Sequence, residues 1–474
     1  MNKQDLENAA AEKILILDGA MGTMVQKYRS PEGNALGEED FRGERFADHH
    51  KPLKGCNEIL CLTRPDIIQG IHEAYLEAGA DIIETCSFNA TSVSLKDFGL
   101  ESLSRELSKT AAALARKAAD RFSFPKKRRF VAGSMGPTSK SAVFTPDLDN
   151  PGKRQISWDE LEAAYYENAW GLVEGGADFL LIETVFDCLN ARAALSAIKR
   201  LSKKMGREIP VMVSATVSEA GRLLTGQTAE AFCASILYAE PWAVGLNCSF
   251  GAEALKTTLE KISAFASLPV GFFPNAGLPD GKGIYSDTPE LMAAAAELCM
   301  KEGLINIIGG CCGSTPDHIA AIAEKARNHK PRSVPVPRKN ITLAGTEIFE
   351  VKDENFLKIS GAVPWQEALN RGDYEEAIEI ARDTEGLAIL FVCADKAPDP
   401  RGTVKNFIFL ASAYSDLSKL PVFIESTNLK VIEEGLKCFQ GRGLARYLPA
   451  EQGPEAVTPE EAICKIEDYG AMSV

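Results

Sequence analysis

The chain has no apolar stretch of the ~18 residues that a membrane-spanning helix requires. Its first residues, Met1-Asn2-Lys3-Gln4-Asp5-Leu6-Glu7, also lack the charged-then-apolar layout of a secretory signal. These absences predict a cytoplasmic protein with no membrane partner. Positive charge is in short supply: 52 Lys and Arg stand against 66 Asp and Glu, for a net charge of −14. The one dense basic run, Lys126-Lys127-Arg128-Arg129, reads as a solvated loop before a strand, and nucleic acid is not expected as a partner. No Gly-x-Gly-x-x-Gly turn follows the first apolar run, which removes the usual mark of an open dinucleotide-binding sheet.

Cysteine, by contrast, is plentiful, with 12 in the chain. A reducing cytoplasm disfavours structural disulfides, so clustered cysteines there point to metal binding or catalysis. Cys61, Cys188, Cys233, Cys299, Cys438 and Cys464 are scattered singly and read as small buried hydrophobes. The adjacent pair Cys311-Cys312, flanked by glycines, stands apart.

Eight apolar runs, at 14–17, 81–84, 129–133, 178–182, 210–214, 242–246, 269–273 and 305–308, alternate with amphipathic stretches. Continuously apolar runs mark strands buried on both faces, and strand–helix repetition implies a parallel sheet. Eight such units predict an α/β fold of the (β/α)8 TIM-barrel class over residues 1–329, with an open doubly wound sheet as the alternative. Glycines, small polar residues and carboxylates gather just after the runs, where such barrels place their chemistry. A proline-rich linker is expected at 330–340. A smaller α/β half-barrel-like domain follows at 341–474. Its strands are expected at 355–359, 387–392, 420–424 and 443–447, and its helices near 365–369, 374–382, 404–414, 429–439 and 459–468.

Cys248 ends the sixth run, and Cys311 and Cys312 end the eighth. In a closed barrel one strand separates these ends, so the three sulfurs converge over the mouth. Three thiolates suit a tetrahedral zinc ion and leave its fourth position open, as a catalytic site requires. Gly309, Gly310 and Gly313 are expected to let the backbone bend so that both adjacent thiols reach one ion. Spacing alone leaves three unrelated thiols as the alternative. An ion with three sulfur ligands is a poor activator of water, yet it holds a further thiol as thiolate, so the implied reaction is alkyl transfer to a substrate thiol.

Taken together, Asp18-Gly19-Ala20-Met21-Gly22-Thr23, Gly245-Leu246-Asn247-Cys248-Ser249 and Gly309-Gly310-Cys311-Cys312-Gly313 resemble the homocysteine S-methyltransferase family over residues 10–328. Within it the chain is most similar to the homocysteine-binding module of cobalamin-dependent methionine synthases. The resemblance implies zinc on Cys248, Cys311 and Cys312, with the homocysteine sulfur as fourth ligand. It implies that Asp18, Gly19, Ala20, Met21, Gly22 and Thr23 hold the amino-acid part of homocysteine and that Glu183 faces its amine. Glu84 is a second candidate for that amine. Asn275 is either the oxygen that takes the open zinc position when substrate is absent or an ordinary turn asparagine.

The tail is similar to the first half of a pterin-binding barrel at Gly372-Asp373-Tyr374-Glu375-Glu376-Ala377, Val431-Ile432-Glu433-Glu434-Gly435-Leu436-Lys437-Cys438 and Gly441-Arg442-Gly443. The pterin-contacting patterns of that family are replaced at 359–363, 392–395 and 425–427, so folate binding is not expected. A half-barrel has open sheet edges. The tail is therefore expected to pair with a second copy, giving a homo-oligomer, or with a partner protein, or to rearrange into an open sheet. None of the five histidines lies in the Asp-x-His-x-x-Gly pattern that binds cobalamin. Methylcobalamin as donor must then arrive in trans, on a separate corrinoid methyl-carrier protein. The alternatives are a donor of the S-methylmethionine or betaine type, or a non-catalytic zinc- and homocysteine-binding subunit of a larger assembly.

Overall fold

The computed structural model describes residues 2–125, 127–147, 150–281, 283–337, 340–351, 363–448 and 457–474. The eight apolar runs form eight short strands: β1 Leu15–Ile16, β2 Ile82–Glu84, β3 Phe130–Met135, β4 Phe179–Val185, β5 Val211–Ala215, β6 Ala243–Asn247, β7 Val270–Phe273 and β8 Ile307–Ile308. All pair in parallel with their sequence neighbours, and β1 pairs with β8. The ring is completed between β1 and β2, where the Asp81 amide donates to Ile16 O at 2.7 Å and the Asp18 amide to Ile82 O at 3.0 Å. The fold is a (β/α)8 barrel of the TIM type.

Side chains alternate across the strands and divide the apolar core in two. Leu15, Leu17, Phe179, Leu181, Met212 and Phe273 fill the barrel interior, while Ile16, Leu180, Ile182 and Val213 pack outward against the helices. Glycine is required on β6 because a Cβ at Gly245 would lie 2.5 Å from the Gly271 carbonyl oxygen. The helix Lys3–Glu12 starts at an Asn2–Asp5 capping box and delivers Leu6 and Ala10 into the same interior cluster as Trp242 and Ile307. It stoppers the end of the barrel opposite the strand C-termini.

Two basic residues differ from their sequence reading. Arg129 is not solvated: it is 3% exposed, pairs with Asp81 at 3.1 Å and donates to Ala80 O. Arg332, within the expected linker, is buried against the barrel. It donates to Ser263 Oγ at 2.8 Å and to Ala266 O at 2.6 Å, and its own carbonyl accepts from Asn306 Nδ2 at 2.8 Å. Backbone carbonyls accept from both guanidiniums, a compensation that hydropathy does not reveal. Cys464 departs the other way and is exposed.

Beyond the barrel, an antiparallel hairpin, β9 Thr342–Ala344 with β10 Ile348–Glu350, precedes a parallel sheet. That sheet contains β11 Leu390–Val392, β12 Val422–Ser426, β13 Leu444–Tyr447 and β14 Met472–Ser473, in that order. Helices lie at Gln366–Arg371, Tyr374–Asp383, Pro400–Ala411, Leu429–Leu436 and Pro459–Asp468. The strand expected at 355–359 lies outside the described residues. The tail packs against the barrel's flank rather than its mouth. Arg192, on the helix Cys188–Met205, is fully buried and donates to Phe439 O and Tyr469 O. Gln227 Nε2 donates to Gln440 Oε1 at 2.8 Å, and the Thr228 amide donates to Thr346 O at 2.9 Å. No helix among the described residues is long and apolar enough to cross a membrane.

Candidate active site

The turn after β6 carries Cys248. Cys248 and Ser249 adopt positive φ values of 62° and 64°, and the Phe250 amide closes the turn on Cys248 O at 2.8 Å. Such geometry costs a non-glycine residue about 1–3 kcal/mol. It is offset locally by hydrogen bonding, since Ser249 Oγ accepts the Val217 amide at 3.1 Å and is paired with Thr216 Oγ1.

The turn after β8 carries Cys311 and Cys312. The Cys311 amide donates to Pro274 O at 2.8 Å, and Cys312 O accepts the Ala276 amide at 2.9 Å. Of the three flanking glycines only Gly313 uses the left-handed region, at φ 84°. Gly309 and Gly310 are needed for space, since a Cβ there would lie 2.7 Å from Leu17 Cβ and 2.5 Å from Ser314 Oγ respectively.

These turns bring the three sulfurs together. The Sγ atoms of Cys248, Cys311 and Cys312 lie within 4.8 Å of one another, with Cys248 and Cys312 3.9 Å apart. Among the described residues this is the one group of three His, Cys, Asp or Glu side chains able to share an ion. Asn247, on β6, donates through Nδ2 to Cys311 Sγ at 3.9 Å and to Thr184 Oγ1 at 2.8 Å. Hydrogen bonds from Cys248 and Cys311 hold the Cys312 thiol down at about 3. Contact with Cys248 and Cys312, reinforced by burial, pushes Cys311 well above the ordinary thiol range.

Beside the sulfurs lies a cavity of about 620 Å³, lined by Gly19, Ala20, Met21, Gly22, Thr23, Glu84 and Glu183 together with the three cysteines. Asp18 sits just behind it, buried, with Oδ2 accepting the Glu84 amide at 3.1 Å. Glu183 accepts a hydrogen bond from Ser134 Oγ. Burial raises all three carboxyls. Glu183 reaches about 7, and Glu84 and Asp18 are pushed well above the ordinary carboxyl range by burial with added repulsion from Glu183. Asp18 Oδ1 and Glu84 Oε1 are buried and have no hydrogen-bond partner among the described residues. Asn275 follows β7, and its buried Oδ1 is likewise without a partner.

Sequence reasoning did not single out Glu58, Asn247 or Tyr285. Glu58 and Tyr285 line the cavity, and Glu58 Oε1 accepts the Asn89 amide at 2.8 Å. Glu58 lies in a single 3-10 turn, Asn57–Ile59, and Tyr285 in a loop, and neither segment is long enough for a periodic pattern to mark orientation. Asn247 carried a signal in standing directly before Cys248.

A family model for homocysteine S-methyltransferases matches residues 15–326. The chain belongs to the homocysteine S-methyltransferase family. Among solved structures it is similar to the homocysteine methyltransferase MmuM from Escherichia coli in its oxidized form. That match has 24% identity and a TM-score of 0.52, and it covers 69% of this chain and 100% of the other. The metallated form of the same enzyme matches at 26% identity over 68% of this chain and 100% of its own, with a TM-score of 0.48. The matched family region spans the barrel and contains both cysteine turns and all three carboxylates.

Proposed function

We propose that this chain is a cytoplasmic, zinc-dependent enzyme that transfers a methyl group to the thiol of homocysteine, giving methionine. The observation that carries the reading is the sulfur trio at the barrel mouth. Two sulfurs on a tetrahedral zinc at about 2.3 Å sit about 3.8 Å apart, close to the 3.9 Å between Cys248 and Cys312. The thiols thus fit a zinc ion in number, softness and spacing. Bound there, zinc would lower the pKa of a fourth thiol from about 8.5 and present it as a thiolate near neutral pH.

The neighbouring residues fit the rest of an amino acid. Glu183 and Glu84 receive the ammonium group, whose charge draws both carboxyls back to their ionised form. Residues 19–23 open the helix Met21–Lys27 and offer first-turn backbone N–H groups to the carboxylate. Asp18 orients Glu84 through its backbone amide. The partnerless Oδ1 of Asn275 supports a role as metal ligand when the substrate thiol is away.

Methylcobalamin presented by a separate corrinoid protein is the donor that the open rim supports. Leu224, Leu278, Ile284 and Leu291, at the C-terminal end of the barrel, are each at least half exposed. A second reading follows the charge of the cavity. Glu58, Glu84 and Glu183 line it, and no Lys, Arg or His does among the described residues, which favours a cationic donor of the sulfonium or betaine type. Parallel assays with methylcobalamin, S-methylmethionine and betaine separate the two. The central test is zinc content and turnover in wild type and Cys311→Ala. Loss of both is expected, and a variant retaining full zinc and full activity would sink the proposal. A wild-type chain that binds zinc but transfers methyl from none of the donors would instead be a binding subunit.

A further inference from the structure

Two successive residues near the end of β4, Glu183 and Thr184, both line the cavity beside the sulfurs. A regular strand cannot present both, because neighbouring side chains point to opposite faces. Alternation from Phe179 and Leu181 accounts for Glu183, which faces inward as they do. Thr184 is the exception. Ile182 pairs with Val213 and Val185 with Ala215, so β4 carries one residue more than β5 over this stretch. The extra residue makes a bulge, a device that re-aims side chains at barrel rims. Beyond it Val185 returns to the outer core with Leu180 and Ile182.

No glycine eases the bulge. Thr184 takes the left-handed region at φ 56°, which a β-branched residue keeps only when its surroundings hold it there. The hold comes from β6, two strands away. The Thr184 amide donates to Asn247 Oδ1 at 2.9 Å, and Asn247 Nδ2 donates to Thr184 Oγ1 at 2.8 Å. One side-chain amide thus grips both the backbone and the side chain of the strained residue. On the strand between, Ser214 Oγ donates to the same Asn247 Oδ1 at 2.7 Å and steadies the amide. Asn247 is 1% exposed and stands directly before Cys248. The gripped N–H belongs to the peptide that joins Glu183 to Thr184. That unit is planar and rigid, so fixing its N–H fixes the backbone from which the Glu183 side chain leaves.

We propose that Asn247 is a positioning residue that holds the Glu183 carboxylate on the amino group of the substrate. The inference rests on the reading that Glu183 receives the homocysteine ammonium. It makes the end of β6 responsible for both ends of the substrate: Cys248 at the sulfur and Asn247, acting through Glu183, at the amine.

The test compares two thiols on the full-length, zinc-loaded protein by titration calorimetry. One is homocysteine and the other is γ-mercaptobutyrate, which lacks only the amino group. Wild type should bind homocysteine about 10- to 100-fold more tightly, the scale of a charge-assisted hydrogen bond. Asn247→Leu, of similar size but unable to grip, should lose about tenfold of that preference while its affinity for γ-mercaptobutyrate is kept. Thr184→Gly reaches the same φ without strain and should fold even where the Leu variant does not. It removes the hydroxyl grip and should lose part of the preference in the same direction. Equal weakening of both thiols would make Asn247 a merely structural residue and overturn the proposal, as would an unchanged preference in either variant. A wild type that holds no zinc, or that binds the two thiols equally, would defeat the parent reading. A preference present in wild type and kept in the variants defeats only the role of Asn247.

Discussion

Glu183→Gln should make the protein more stable and the enzyme worse. The carboxyl is 4% exposed, and burial lifts it from its ordinary 4.5 to about 7. An acid whose folded pKa is raised binds more protons folded than unfolded, so stability falls as pH climbs from about 4.5 through about 7. Once the group is ionised, that rise corresponds to about 3 kcal/mol lost by the folded state. Glutamine cannot ionise, and its amide oxygen can still accept from Ser134 Oγ. Urea denaturation of metal-free protein should therefore show a gain of about 3 kcal/mol at pH 8 and almost none at pH 4. The Glu84 and Asp18 carboxyls, which Glu183 repels, should ionise more easily in the variant. Activity should move the other way, with KM for homocysteine rising about 10- to 100-fold as one charge-assisted hydrogen bond to the ammonium is lost. Equal stability of variant and wild type at pH 8 would refute the electrostatic reasoning. An unchanged KM would refute the role of Glu183 in binding the amine.

The wild-type enzyme should show a matching acid limb, with KM for homocysteine rising below pH of about 7 as Glu183 takes up a proton, measured by initial rates across pH. Leu6→Ala removes a fully buried side chain from the barrel's stopper and should destabilise by about 2–5 kcal/mol in urea while leaving KM unchanged. Arg192→Met strips the Phe439 and Tyr469 carbonyls of a charged donor. It should cost about 3 kcal/mol or more and free the tail for limited proteolysis at conditions where the barrel stays intact.

The barrel was legible because its strands are buried on both sides. Each apolar run, such as 178–182 or 269–273, overlaps the observed strand to within a few residues, and the polar clusters after the runs do line the mouth. The cysteine trio was readable for the same reason: strand order alone places the ends of β6 and β8 one strand apart. What escaped notice was set by contacts distant in sequence. Arg129 reads as part of a solvated loop and Arg332 as part of a proline-rich linker, yet both are buried against backbone carbonyls that only the fold supplies. The helix Lys3–Glu12 buries only Leu6 and Ala10, too sparse a pattern to announce a stopper. The hairpin β9–β10 and the two-residue strand β14 are too short to carry a periodic signal. Tyr285 sits in a turn-rich loop where sequence gives no direction to a side chain.

The stopper ties the two ends of the barrel together in time as well as in space. Lys3 Nζ donates to Glu240 O at 2.7 Å, and Asn306 Nδ2 donates to Ala10 O at 3.3 Å, so the residues of this helix wait for two that are made much later. A nascent chain cannot make both bonds until the segment 296 residues beyond Ala10 has been synthesised. Until then Leu6 and Ala10 remain exposed, and the growing sheet has an unclosed seam beside β1. Contacts of such long range are slow to form, and partly built parallel sheets are prone to aggregate. Barrel closure, stopper docking and completion of both cysteine turns thus fall together late in synthesis. Convergence of the three sulfurs becomes an event of the finished barrel, since Cys311 and Cys312 are made only after β8.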